Sequence, residues 1–482
     1  MTTGSSNPPQ TELGQRLKAA LPDLEVRDSQ EFRAENSRDH TEDLQFLPDV
    51  VVLPKSTEEV AALMRWAHAE QVPVTAAGAW TGLSGGALPV RGGISLSTRR
   101  LNRILRIDEL HHQLIVQPGV IVQEMQEAVQ EKGLFYAVDP ASRGTCTIGG
   151  NLAENSGGPR AVKYGVTKDW VLNLEVVMAD GTVIRTGANT LKNSTGYNLT
   201  QLMVGSEGTL GIITEAWIRL HARPRYRSSV TVKFDDFITG ARAVRALSQG
   251  KLYPVNCRLV SRMEAVSMGL GDGRNAMLLL GFESERYPQK DAMAKALDVC
   301  REHGGRYNRR KVMHTESRVR SGAAGNWRNN FIKAPYIRDI MARKGMVTET
   351  LETAVTWDQF ESFHQSVIDA AQRAFDAHCR GRGLITCRFT HIYPDGPAPY
   401  YSIVAWSEPG RQLETWDAIK ASVSDAIIDN GGTITHHHAV GRDHRPWYER
   451  ERGGLFTKTL TGLKSTLDPK WILNPGVLLE ER

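Results

Sequence analysis

The sequence predicts an α+β protein whose first half strings glycine-rich loops between strands and whose second half lays an antiparallel sheet against helices. Three observations predict this. Glycine-rich segments at Gly78–Gly86, Gly144–Gly165 and Gly205–Gly211 each lie between strand-like apolar runs. A helical pattern over Thr57–Glu70 leads into the strand-like Val72–Thr75. Beyond Arg223 and Pro224, strand-like runs alternate with longer helical ones.

Taken in order, residues 1–46 read as an N-terminal arm. Its first nine residues, MTTGSSNPP, lack the basic and apolar regions of a signal peptide and are expected to fray. The loop Thr75–Ala87 (TAAGAWTGLSGGA) follows the first helix and strand. Glycine adopts positive φ without strain and carries no side chain, so successive N–H groups can turn toward a pyrophosphate. A Rossmann site does this once, with GxGxxG opening a helix, and that pattern is absent here. Asp139–Gly158 (DPASRGTCTIGGNLAENSGG) mixes small residues, hydroxyls and amides, the composition needed to meet both the polar and the dimethylbenzene edges of a flavin. Gly205–Leu220 (GSEGTLGIITEAWIRL) is a tight turn feeding a buried strand. Several loops around one long anionic ligand make FAD the best candidate.

In the second half, strand-like Ser228–Phe234, Ala276–Gly281, Leu384–Tyr393 and Tyr400–Trp406 alternate with helical Ile238–Ser248, Lys290–His303, Trp357–Cys379 and Leu413–Asp429. Lys464–Gly476 reads as a closing helix and turn that returns to the first half. The organisation expected is an arm (1–46), a dinucleotide-binding domain (47–222), a cap or substrate domain (223–428) and a C-terminal segment completing the active site (429–482).

Composition fits a large soluble enzyme. A chain of 482 residues holds about two to three domains. The formal charge of +5 is small for that length, no basic run is interleaved with aromatics as a nucleic-acid groove requires, and Arg306–Lys311 reads as a solvated face. Five cysteines without paired spacing predict reduced thiols and a cytoplasmic location, and no CxxC offers a zinc or iron–sulfur site. No apolar run is long enough to span a bilayer.

The three glycine segments, with Asp49–Pro54 (DVVVLP) ahead of them, resemble the FAD-binding domain of the vanillyl-alcohol oxidase and p-cresol methylhydroxylase (PCMH) superfamily over roughly residues 47–222. The resemblance implies a two-subdomain PCMH-type flavin domain with a cap above the isoalloxazine, and a homodimer. It assigns the cofactor to Ala77, Gly78, Ala79, Trp80, Thr81 and Gly82. In the second segment it assigns Pro140, Ser142, Cys146, Thr147, Gly149, Gly150, Asn151, Ala153, Asn155, Ser156 and Gly157, and in the third Glu207, Gly208, Gly211, Ile212 and Ile213. Trp80 replaces a small residue of the pattern. The first loop has no histidine, and Cys146 stands one place later than the cysteine of bicovalent relatives, so FAD is expected to be non-covalent.

Relatives that oxidise D-2-hydroxy acids carry GHxGDGNxH and a later EHG that bind a metal. Here the corresponding stretches are Thr390–Gly396 (THIYPDG) and Ile434–Gly441 (ITHHHAVG), with His437 where the glutamate would be, so no metal is expected. The histidine run instead resembles the HHHGVG of the alkyl-dihydroxyacetonephosphate synthase family, although Ala439 stands for its glycine. Tyr336–Asp339 (YIRD), Thr350–Trp357 and the pair Tyr400–Tyr401 match that family in the same order. Carried over, Arg338 would clamp a phosphate by bidentate contacts. Tyr401, selected by counting back from the following strand, would move a proton, and His436, His437 and His438 would position substrate and shuttle protons. On a straight strand, His437 would face away from the other two.

The function implied is that of an FAD enzyme resembling this synthase, acting at flavin N5 on a phosphorylated or lipid-like substrate. The alternative is a flavin oxidoreductase acting on a CH–OH group such as that of a D-2-hydroxy acid, with an electron acceptor as partner.

Overall fold

The computed structural model describes residues 11–41, 44–316, 341 and 344–480. The chain begins with a helix, Glu12–Ala20, whose first turn is capped by Thr11 accepting from the Gly14 N–H. Val26–Arg27 then pairs antiparallel with Val50–Val52 and opens a four-stranded sheet in the order Val26–Arg27, Val50–Val52, Ile94–Ser97, Val74–Ala77, the last three parallel. The helix Thr57–Glu70 connects two of them, with the bounds expected from its periodicity. Ser56 caps its N-terminus, and Gln71 ends it in the left-handed conformation at φ 56°.

A second, antiparallel sheet runs Ile104–Asp108, Gln113–Val116, Ile212–Arg219, Val171–Val177, Val183–Arg185. The first and third glycine segments lie where a sheet strand ends or begins. The first follows Ala77, the second carries the helix Ile148–Glu154, and the third feeds Ile212–Arg219.

The second half forms a seven-stranded antiparallel sheet in the order Met313–Glu316, Tyr226–Phe234, Ala276–Ser284, Asn256–Val260, Gly383–Ile392, Pro397–Trp406, Met346–Glu352. Side chains alternate across it, which decides the chemistry of each face. Cys257, Leu259, Cys387, Phe389, Leu351, Tyr401 and Ile403 join one core with the helices Phe237–Gln249, Lys290–Glu302, Phe360–His378 and Gln412–Asp429. The row Arg388, Tyr400, Glu352, aligned across three neighbouring strands, lies on the opposite face.

The C-terminus returns to the first sheet: Val74 donates to the Ile472 carbonyl (2.8 Å) and Asn474 to that of Val74 (2.9 Å). All five cysteines are buried and free. No described helix is long and apolar enough to cross a membrane.

Candidate active site

The three glycine segments, far apart in sequence, line a single cleft. Of the residues expected there, all six of the first segment and all five of the third are on its wall, with Ser142, Thr147, Gly149, Gly150, Asn151, Ala153 and Ser156 of the second. Pro140, Cys146, Asn155 and Gly157 are not. Cys146 is 3 % exposed and packs in the core, where burial pushes its thiol up to about 12. Asn155 ends the Ile148–Glu154 helix at φ 52° and accepts from the Lys168 N–H (2.9 Å). Gly157 lies against His391, whose ring would stand 3.7 Å from a Cβ placed there. Thr98, Pro118 and Glu154 also line the cleft and carry no glycine signal.

The wall suits a dinucleotide. The backbone N–H groups of Ala79–Ser84 have no acceptor among the described residues, and neither the Trp80 indole N–H nor the Asn151 amide finds a partner although both are buried. Unpaired donors shielded from water are costly, so the unpaired amides of Ala79–Gly82 on the cleft wall, with the buried Trp80 and Asn151 donors beside them, fit an anionic, acceptor-rich ligand. Trp80 reaches this geometry at φ 53° with its ring under the Arg99 guanidinium (4.6 Å). Gly78 is required by close approach, since a Cβ there would lie 2.1 Å from the Thr147 hydroxyl. Glu154 sits on the same wall, and burial, then the facing Glu207 and Asp39, push its carboxyl up to about 8.

Beside this cleft the C-terminal histidines form a bend, not a strand. One buried carboxylate causes it. Glu352 accepts the backbone N–H groups of His436 (2.6 Å), His437 (2.9 Å) and His438 (2.8 Å) and the Thr435 hydroxyl. Burial opposes ionisation of Glu352, but the histidines around it, His437 foremost, outweigh it and hold the carboxyl well below its usual range. Three consecutive amides turned to one anion abolish the strand alternation, which lets all three rings gather on one side.

Those rings meet others from the sheet. Tyr393 bonds the His436 Nε2 (3.1 Å), and the His436 and His437 Nδ1 atoms are 3.2 Å apart. Tyr400 stacks on His437 with ring centres 5.9 Å apart and lies under the Arg388 guanidinium at 3.8 Å. His391 donates from Nε2 to the Gly158 carbonyl (2.9 Å), which leaves a lone pair on its buried, unpartnered Nδ1. Burial pushes His391 well below the ordinary imidazole value, His436 to about 4 and His438 to about 3, so all three are neutral at pH 7.

One expectation changes. Tyr401 is fully buried on the helix-covered face and bonds the His364 Nδ1 (3.0 Å), so it turns away from the histidines and Tyr400 takes the position expected of it. The reason is strand alternation, which sequence counting resolved one residue out. The motifs predict no metal ligands, and ring nitrogens of His391, His436 and His437 lie within 4.8 Å of one another, the one such grouping among the described residues. Arg338 lies outside the described residues.

Sequence reasoning missed Glu352, His391 and Tyr393 as site residues. Each stands in a segment quoted for its motif, but only the fold converges them.

Residues 48–187 match the family described as FAD binding domain, and residues 223–478 that described as FAD linked oxidases, C-terminal domain. The chain is 32 % identical over 455 residues to a glycolate oxidase subunit GlcD of Bacillus subtilis (strain 168), covering 93 % of each. It is 30 % identical over 481 residues to a D-2-hydroxyglutarate dehydrogenase of Xanthomonas citri pv. viticola, covering 96 % of each. A solved alkyldihydroxyacetonephosphate synthase shares the fold, with TM-score 0.78 and 24 % identity over 98 % of this chain and 86 % of that one.

Proposed function

The chain belongs to the FAD-linked oxidases of the PCMH type and takes FAD as its cofactor, and from that premise we propose that it oxidises the CH–OH group of a small 2-hydroxy acid to the 2-oxo acid. One observation carries the reading: His391 is buried and neutral, its Nε2 is fixed by the Gly158 carbonyl at the end of the second glycine segment, and its Nδ1 has no partner. Oxidation of a carbinol removes a hydroxyl proton as hydride leaves the carbon. A neutral imidazole whose other nitrogen is fixed by a carbonyl is pre-set as the proton acceptor.

When bound, FAD supplies the two-electron acceptor. The Ala79–Gly82 amides, Thr147 and Asn151 would hold it without a link to Cys146, whose thiol is neutral and off the wall. His391 accepts the hydroxyl proton. The phenols of Tyr393 and Tyr400 stay protonated, because burial raises both, and donate hydrogen bonds to the substrate oxygen. His436 and His437, fixed by Glu352, pass the proton on. Arg338 is assigned the substrate's anionic group, and residues 429–482 complete the site.

A second reading, acyl-for-alkyl exchange on a dihydroxyacetone phosphate ester, is favoured by the histidine run and its resemblance to the synthase family. Anaerobic mixing separates the two. The proposal predicts that glycolate, D-lactate or D-2-hydroxyglutarate bleaches the flavin band and yields one equivalent of 2-oxo acid. An unbleached flavin with all of them, together with acid release from acyl-dihydroxyacetone phosphate, would establish the second reading instead.

A further inference from the structure

The histidine bend is held by the cap on one side and by the cofactor cleft on the other, and the second attachment runs through a strained residue. Glu207 lines the cleft at φ 51°, a left-handed conformation that a non-glycine residue keeps only when its surroundings over-determine it. Its backbone is tied to both sides, with its N–H donating to the Ala153 carbonyl (2.9 Å) and its carbonyl accepting from the Asn474 amide (2.7 Å). The side chain then leaves the cleft wall and accepts the N–H groups of Val440 (3.0 Å) and Gly441 (2.8 Å), three and four residues after His437. Ser84, at the end of the run of unpaired amides, adds a bond from its hydroxyl to the His438 carbonyl (3.1 Å), and its own carbonyl accepts from Arg442 (2.9 Å). The bend between these anchors includes a second strained residue, Ala439 at φ 72°.

We infer that Glu207 is a positioning residue that couples occupancy of the dinucleotide cleft to the geometry of the histidine bend. The physical cause is water. With the cleft open, water competes for the Glu207 carboxylate and for the two amides it binds. A dinucleotide filling the cleft excludes that water, strengthens both hydrogen bonds and sets the bend that follows the histidines. The reacting groups are thus assembled when the cofactor is present. This inference rests on the reading that the histidine bend faces the reacting edge, but its test reads backbone exchange and involves no turnover, so the two fail separately.

The test is amide hydrogen exchange of the segment Ile434–Gly441 in FAD-free and FAD-loaded protein, for the wild type and Glu207→Gln. Glutamine keeps the size but has one acceptor oxygen where glutamate has two. FAD is expected to slow exchange at Val440 and Gly441 by about tenfold in the wild type and by less than about twofold in the variant, which still takes up FAD. Equal slowing in both proteins, or none in the wild type, overturns the inference. So does a folded variant unable to take up FAD, because Glu207 would then hold the cofactor and not the bend. Should Glu207→Gln not fold, Ser84→Ala serves. It leaves Glu207 in place and is expected to keep the Val440 and Gly441 slowing, and loss of the slowing there overturns the inference as well.

Discussion

Adjacent residues of one strand, Tyr400 and Tyr401, carry opposite duties. Tyr400 faces the histidines under Arg388, while Tyr401 is packed against His364 among the cap helices. Tyr401→Phe strips a partner from the His364 Nδ1 and is expected to cost about 1–2 kcal/mol of stability with turnover retained. Tyr400→Phe is expected to keep both the fold and the flavin and to lose about a hundredfold in turnover, the usual weight of one positioned proton donor. Denaturant midpoints and steady-state rates on the two variants check the assignment, and the reverse pattern would return the role to Tyr401. The pair also shows where sequence reading stops. Period two says that the two tyrosines differ, but only the register across Glu352, Tyr400 and Arg388 says which face is which.

The elements were legible in proportion to how locally they are determined. Thr57–Glu70 has its own apolar stripe and a serine cap, and its bounds follow from them. The glycine loops were legible because backbone conformation and close approach demand that residue type. The histidine bend was not, because its cause is a carboxylate 84 residues away in the chain. His391 escaped notice for the same reason, since its partner, the Gly158 carbonyl, is 233 residues distant. At this scale Gly78→Ala is the informative change. Its Cβ would drive Thr147 off the N-terminus of Ile148–Glu154, where its hydroxyl accepts from Gly150, and a lost cap costs about 1 kcal/mol. Flavin fluorescence titration is expected to show FAD binding weakened by about tenfold or more, and unchanged binding would mean that this wall is not the cofactor's.

For the whole molecule, burial sets a stability optimum. His364 and His436 are pushed down to about 4 and His438 to about 3 from an ordinary 6.5, so between those values the unfolded chain binds protons that the folded one refuses, and stability rises with pH. Glu154 and Glu207 are pushed up to about 8 and about 7 from an ordinary 4.5, so the folded chain holds protons that the unfolded one has released, and stability falls as pH climbs through that window. Where the windows overlap the histidines outnumber the acids, with His391 and His444 lowered as well, and above about 6.5 only the acids of this set act. FAD-free protein is therefore expected to be most stable near pH 6.5. Glu154→Gln should flatten the alkaline limb and His364→Phe the acid limb, and a limb untouched by its variant would refute that part of the linkage.

Turnover of a 2-hydroxy acid requires the cofactor cleft and the histidine cluster to form one centre at which a substrate C–H bond breaks. The rate of anaerobic flavin bleaching by a 2-hydroxy acid, compared with that by the same acid deuterated at Cα, measures this directly. Bleaching slowed several-fold by deuterium is the result expected, and bleaching at equal rates, or none with any hydroxy acid, would contradict it.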